Sequence, residues 1–307
     1  MIRMPGASYR AALQPLTDEQ RTVSARLRTD VERLAGSIGR RSTFHPRQLA
    51  EAMLFVKSEL ADAGYAPRDH SFVSRGTATP NIDATLPGTS SPAEMVLIGA
   101  HVDSFQGTPG ADDNASGVAA LLALARSMSG SPSPRTIRFA FFINEEPPSF
   151  QQADMGSLVY ATRCRDDGEN IVAMLSLESL GYYRAEPGTQ KYPAPLNLLY
   201  PSTGDFIAFV GDTGSRALVR RALSTFRNTT PFPSEGAAPP SSIPGVMWSD
   251  HWAFRERGYP AIMVTGTAPF RNANYHQATD TPDTLDYDRL ARVVGGLERV
   301  VRDLASR

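Results

Sequence analysis

At 307 residues the chain has room for one large α/β domain, and its 41% hydrophobic content is enough for a sizeable core. Its 31 basic and 32 acidic residues nearly cancel and form no long run of one sign, which argues against nucleic-acid partners and against a cationic membrane-binding face. One cysteine, Cys164, rules out an intramolecular disulfide and a multi-thiolate zinc site within the chain. Met1 to Leu16 lacks the apolar core of a signal peptide, and stretches such as Val118 to Ala125 are too short to span a bilayer. The expectation is a cytoplasmic chain, or an exported one if the N-terminus has been shortened.

Thr17-Asp18-Glu19-Gln20 has the spacing of a capping box and predicts a helix to about Gly39. A second helix is predicted from Pro46 to Ala63, with Leu49, Met53, Val56 and Leu60 on one face. His45 and His70 have no acidic cluster of suitable spacing around them and read as ordinary packing or surface histidines. A hairpin-like pair follows, near Tyr65 to Val73 and Asn81 to Leu86. Then comes the apolar run Val96 to Ala100, which leads straight into His101-Val102-Asp103.

Gly110 to Gly117 opens an apolar helix, Asn114 to Met128, whose small first-turn residues allow close packing on a sheet. The next buried strand, Thr136 to Ile143, ends in Asn144-Glu145-Glu146, and the one after, Ile171 to Leu177, ends in Glu178. Between them Pro147 to Met155 reads as a loop beside the acidic pair, followed by an amphipathic helix carrying Cys164 as a small buried hydrophobe. Gly181 to Ser202 reads as irregular. A strand at Asp205 to Val210, a helix at Ser215 to Phe226 and a long Pro/Ser-rich loop at Thr229 to Pro244 follow. Ser249-Asp250-His251 precedes a short helix, Pro260 to Thr265 is a buried strand, Tyr275-His276 lies in a loop, and Tyr287 to Leu304 closes the chain as an amphipathic helix.

Strands alternating with helices predict one α/β domain over residues 1–307. The expected architecture is a three-layer sandwich: a mixed, mostly parallel twisted sheet with helices on both faces and an N-terminal helical segment, residues 1–45, packed against it. Three successive apolar strands each deliver an acid or a histidine at the same end, where open α/β sheets collect ligands. Imidazoles (His101, His276) and carboxylates (Asp113, Glu146, Glu178) without sulfur suit zinc, manganese or cobalt. A carboxylate can bridge two metals about 3.5–4 Å apart, and Glu145 is left over as a base. Burying so many carboxylates without a cation would be prohibitive.

In order, His101-x-Asp103, Gly110-Ala-Asp-Asp113-Asn-Ala-Ser-Gly117, Asn144-Glu-Glu146, Glu178, Ser249-Asp-His251, Tyr275-His276 and the phrase His276 to Leu285 resemble the M28 family of zinc aminopeptidases and carboxypeptidases. The resemblance runs from about Ser24 to the C-terminus. It implies two zinc ions bridged by Asp113, with His101 and Glu178 completing one site and Glu146 and His276 the other. It further implies Glu145 as general base, Asp103 as the hydrogen-bond partner of His101, and Tyr275 as a donor to the oxyanion. Peptides or amino-acid amides would be the substrates. Glu178 stands where many family members carry aspartate, and the Pro147 to Met155 insertion would cap or narrow the substrate pocket. Two other readings fit the same scaffold: a single-zinc glutaminyl cyclase-like acyltransferase and a non-catalytic binding protein.

Overall fold

The computed structural model describes residues 4–194 and 196–306. Its strands are β1 (Arg68–Ser74), β2 (Thr77–Leu86), β3 (Ser91–His101), β4 (Arg135–Phe142), β5 (Asn170–Glu178), β6 (Arg184–Pro187), β7 (Thr203–Gly204), β8 (Ile207–Val210), β9 (Ser234–Ala237) and β10 (Ala261–Thr265). All but β6 and β7 form one sheet in the order β1-β2-β4-β3-β5-β10-β8-β9. The central strands β4, β3, β5 and β10 are parallel, so their carboxyl ends share one edge. Strands β2 and β8 run antiparallel to their central neighbours.

The helices are α1 (Asp18–Val31), α2 (Pro46–Asp62), α3 (Gly117–Met128), α4 (Gly156–Asp166), α5 (Arg216–Thr229), α6 (His251–Glu256), α7 (Ala268–Arg271) and α8 (Tyr287–Ser306). Side-chain alternation along the buried strands feeds two cores. Val96, Ile98 and Ala100 of β3 join the larger cluster with apolar residues of α1, α2, α3, α5 and α8. Leu97 points the other way, into a smaller cluster with Tyr160 of α4 and Phe254 of α6. The sheet is thus covered on both faces, the α/β arrangement that the sequence predicts. In α8 the buried Leu290, Val293, Val294, Leu297, Val300, Val301 and Leu304 form the apolar stripe that seats it.

The capping box at Thr17 forms: its hydroxyl accepts from the Gln20 amide, and the Gln20 side chain accepts from the Thr17 amide. Helical winding reaches Gly39 as expected, but Glu32–Ile38 is wound as a wider π-helix. Three readings need correction. The stretch 229–244 is not loop throughout, because Ser234–Ala237 adds β9 parallel to β8 at the sheet edge. Within 181–202, Arg184–Pro187 pairs with Thr203–Gly204 in a two-stranded ribbon. Both segments are too short and Pro-rich to show an alternating pattern. Lastly, α3 starts at Gly117 rather than Asn114, since Asp113 (φ −109°, ψ 89°) and Asn114 (φ −135°, ψ 36°) leave the helical region. Among the described residues no helix is long and apolar enough to cross a membrane.

Candidate metal centre

The parallel strands place the predicted residues at one edge. His101 is the last residue of β3 and Glu178 the last of β5, while Glu145 and Glu146 lie just beyond β4. Asp113 lies in the turn between β3 and α3, and His276 lies in the loop after α7. All except His276 are nearly inaccessible to solvent. The turn carrying Asp113 can approach β5 because Gly117 opens α3: a Cβ there would lie 2.6 Å from the Leu177 carbonyl oxygen. Gly110 enters the same turn at φ +63°, where glycine carries no steric cost.

The five residues sort into two triads that share Asp113: His101–Asp113–Glu178 and Asp113–Glu146–His276. His101 Nε2 lies 3.4 Å from Asp113 Oδ1 and 3.3 Å from Glu178 Oε2. His276 Nε2 lies 3.2 Å from Asp113 Oδ2 and 3.3 Å from Glu146 Oε2. The two oxygens of Asp113 therefore face different imidazoles. These separations are at or beyond the long end of N–H···O hydrogen bonding. They match the edge of a zinc tetrahedron, about 3.3–3.4 Å for ligand bonds near 2.05 Å. Both Nε2 atoms and Glu146 Oε1 are buried without a hydrogen-bond partner among the described residues. Buried nitrogen and oxygen atoms gathered at these spacings, with no sulfur among them, fit zinc. Glu145 belongs to neither triad, its Oε2 lying 3.8 Å from His101 Nε2.

A second set of contacts fixes these side chains. The sequence reading pairs the Asp103 carboxylate with His101. In the structure His101 Nδ1 is 3.1 Å from the Asp103 backbone carbonyl and 3.7 Å from its carboxylate. That carboxylate instead accepts the successive amides of Glu145 and Glu146, at 3.2 and 3.1 Å. Asp280 does the same for Asp112 and Asp113, at 2.9 and 3.1 Å. Glu178 accepts from the hydroxyls of Ser179 and Ser249 at 2.7 and 2.8 Å, which gives the Ser249-Asp250-His251 segment one contact with the centre. Asp250 is fully buried, and burial pushes its pKa up to about 7. His251 donates from Nε2 to the Val246 carbonyl.

Sequence reasoning missed two residues here. Arg41, wholly buried, has no carboxylate partner within ion-pair distance among the described residues. Its guanidinium donates to the carbonyls of Leu34, Gly39, Val102, Pro109 and Gly110. It thereby ties both ends of the loop between His101 and Asp113 to the π-helical segment. Phe105, in the same loop, stacks on the His276 ring. Nothing in a lone Arg or Phe inside a loop marks it beforehand, since both partners are distant in the chain.

The charges are strongly interdependent. Burial works against the imidazolium of His101, yet Glu145, Glu178, Asp103 and Asp113 together hold its pKa well above the ordinary value. Burial and then the Asp113 charge push Glu146 up to about 8 against the pull of His276. Burial, above all, raises Glu145, and likewise the Tyr275 phenol, which stays protonated as a hydrogen-bond donor. Such a cluster holds protons that a cation would displace.

The centre opens between Pro147, Phe150 and Trp248, so the 147–155 loop does line it. Past Glu178, Trp248 and Tyr275 it meets a cleft laid on the sheet face of β8, β9 and β10. Tyr192, Leu196, Phe206, Val246, Met263 and Phe270 make that cleft predominantly apolar.

Comparison with known proteins agrees with this geometry. The sequence profile of Peptidase family M28 matches residues 81–300. Uncharacterized protein YfbL of Escherichia coli (strain K12) is 36% identical over 270 residues, covering 83% of this chain and 82% of that one. Leucine aminopeptidase 1 of Arthroderma otae is 26% identical over 262 residues, covering 80% of this chain but 61% of its own length. In structure the chain resembles BSAP, a zinc aminopeptidase from Bacillus subtilis, with a TM-score of 0.72 at 14% identity over 92% of this chain and 95% of that one. It also resembles a Bacteroides thetaiotaomicron glutaminyl cyclase, with a TM-score of 0.69 at 16% identity over 91% and 97%. At such identities these two likenesses show the fold alone. The family match and the 36% identical relative carry the assignment: this chain belongs to peptidase family M28 and is a zinc-dependent hydrolase.

Proposed function

We propose that the chain is a two-zinc aminopeptidase whose single peptidase domain includes residues 1–45. One observation carries the reading: two triads able to hold a metal share Asp113, and Glu145, 3.8 Å from His101, belongs to neither. His101, Asp113 and Glu178 would hold one ion, and Asp113, Glu146 and His276 the other. When bound, zinc supplies Lewis acidity, polarising the scissile carbonyl and bringing the pKa of water down to about 7.

The protein's own groups do the rest. Glu145 takes a proton from the attacking water as the water oxygen bonds to the carbonyl carbon. The same carboxyl returns that proton to the amine nitrogen as the C–N bond breaks. The Tyr275 phenol donates a hydrogen bond to the charge developing on the carbonyl oxygen. Pro147, Phe150 and Trp248 narrow the water-accessible approach. The apolar cleft beyond Tyr275 would take the side chain of the N-terminal residue, favouring large apolar ones.

Zinc content per chain, assayed together with hydrolysis of leucine and phenylalanine p-nitroanilides, tests this. The expected result is near two zinc ions and chelator-sensitive release of nitroaniline. One zinc with no hydrolysis would sink the two-zinc aminopeptidase and direct attention to cyclisation of an N-terminal glutamine peptide.

A further inference from the structure

The two imidazoles of the centre are oriented by different means. His101 is 1% exposed, and its Nδ1 faces the Asp103 carbonyl at 3.1 Å, the kind of hydrogen bond that ordinarily fixes a metal-binding imidazole. The His276 side chain is 23% exposed, its backbone sits at φ 59°, and no described residue hydrogen-bonds its Nδ1. Its ring instead lies between two others. Phe105 stacks on it with centroids 4.0 Å apart and planes 10° apart, and Tyr275 with centroids 3.8 Å apart and planes 18° apart. Two near-parallel rings at that range cannot occupy the same face, so the imidazole is sandwiched.

Phe105 is itself held firmly. Its carbonyl accepts from both the amide and the hydroxyl of Thr108, at 3.0 and 2.9 Å, and Ser104 Oγ donates to the Thr108 carbonyl at 3.0 Å. Arg41 pins the loop at Val102 before it and at Pro109 and Gly110 after it. The ring is therefore presented from a fixed platform rather than from a free loop.

We propose that Phe105 is a positioning residue. With Tyr275 it fixes the plane of the His276 imidazole and aims Nε2 between Asp113 and Glu146, a task the Asp103 carbonyl performs for His101. This rests on the two-zinc reading. Stacking restrains tilt without touching Nδ1, so it supports the more open ligand where a buried acceptor is absent. Loss of such support costs about 10–100-fold in metal affinity.

The test is zinc binding by the metal-free full-length chain, in competition with a chromophoric chelator, for wild type, F105A, F105Y and H276A. The wild type should show two binding steps, and H276A identifies the step that depends on His276. F105A should weaken that step by about 10–100-fold and spare the other, and F105Y should restore it. F105L, which keeps apolar volume without a ring face, replaces F105A if the latter does not fold; it should weaken the same step. Unchanged affinities in F105A overturn the proposal. So does equal weakening of both steps alongside a lower melting temperature, which would mean general structural damage. A raised KM with both affinities intact would place Phe105 on the substrate and overturn it as well. A single zinc step in wild type would sink the two-zinc reading and this proposal together.

Discussion

The two halves of the candidate metal centre are chemically alike and physically unlike. Each offers an imidazole, a glutamate and one oxygen of Asp113. The His101 half is sealed into the sheet edge: Glu178 accepts from the hydroxyls of Ser179 and Ser249, and His101 Nδ1 donates to the Asp103 carbonyl. The His276 half sits on a loop, partly open, and is steadied by aromatic faces. The contrast follows from topology: one half grows from two adjacent parallel strands, whereas the other must recruit a residue from a distant loop. Equal ligands therefore need not mean equal retention of metal.

The largest effect should come from the residue common to both halves. Asp113→Asn should remove both zinc ions and lower kcat/KM by more than about 10³-fold, since several kcal/mol of charge stabilisation is lost. One fully occupied zinc in that variant would mean that the halves do not share it, with Asp112 the next suspect. Glu145→Gln, outside both halves, should cut kcat by about 10²–10⁴-fold and leave both metals in place. Loss of zinc there would exchange the roles of Glu145 and Glu146. Asp103→Asn weakens the grip on the amides of Glu145 and Glu146, so it should cost about 10–100-fold in activity or metal affinity.

Graded chelation addresses the contrast directly. The His276-side ion should leave first, giving a stable one-zinc species with at least about tenfold slower loss of the remainder, given typical outer-contact effects. Simultaneous loss of both ions would erase the asymmetry. The last effect concerns the scaffold rather than the centre. Burial holds the His251 pKa down to about 4 against an ordinary value of 6.5. Between those values the unfolded chain takes up a proton that the folded chain refuses. Stability should therefore fall as pH drops from about 6.5 to about 4, by up to about 3 kcal/mol, and this contribution should not change further below that. Urea midpoints for wild type and His251→Gln should diverge in slope across that window. Parallel slopes would return the acid sensitivity to the metal centre.

Most of the candidate centre was legible because each strand that supplies one of its residues announces itself: Val96 to His101, Thr136 to Glu146 and Ile171 to Glu178 are largely apolar runs ending in a histidine or a glutamate. The shared edge followed from parallel pairing. What stayed hidden was held by long-range contacts or irregular backbone. Strand β9 has four residues beside prolines, and Asp103 has a neighbouring histidine that suggests a partner while its carboxylate faces the end of β4. Asp280 was visible within a motif, but its hold on two amides could be seen only with the turn at Asp112 in place.

Arg41 bears on where this enzyme can be cut. The family match begins at residue 81, yet the guanidinium that closes the ligand loop comes from well upstream of it. A fragment trimmed to the recognisable segment would keep every ligand and lose the clasp that brings both ends of their loop together. Loop closure would then have to be met from the free energy of metal binding, so the fragment would load zinc weakly and fold only as it did so. The segment that the family profile matches is thus shorter than the segment whose contacts hold the loop between His101 and Asp113.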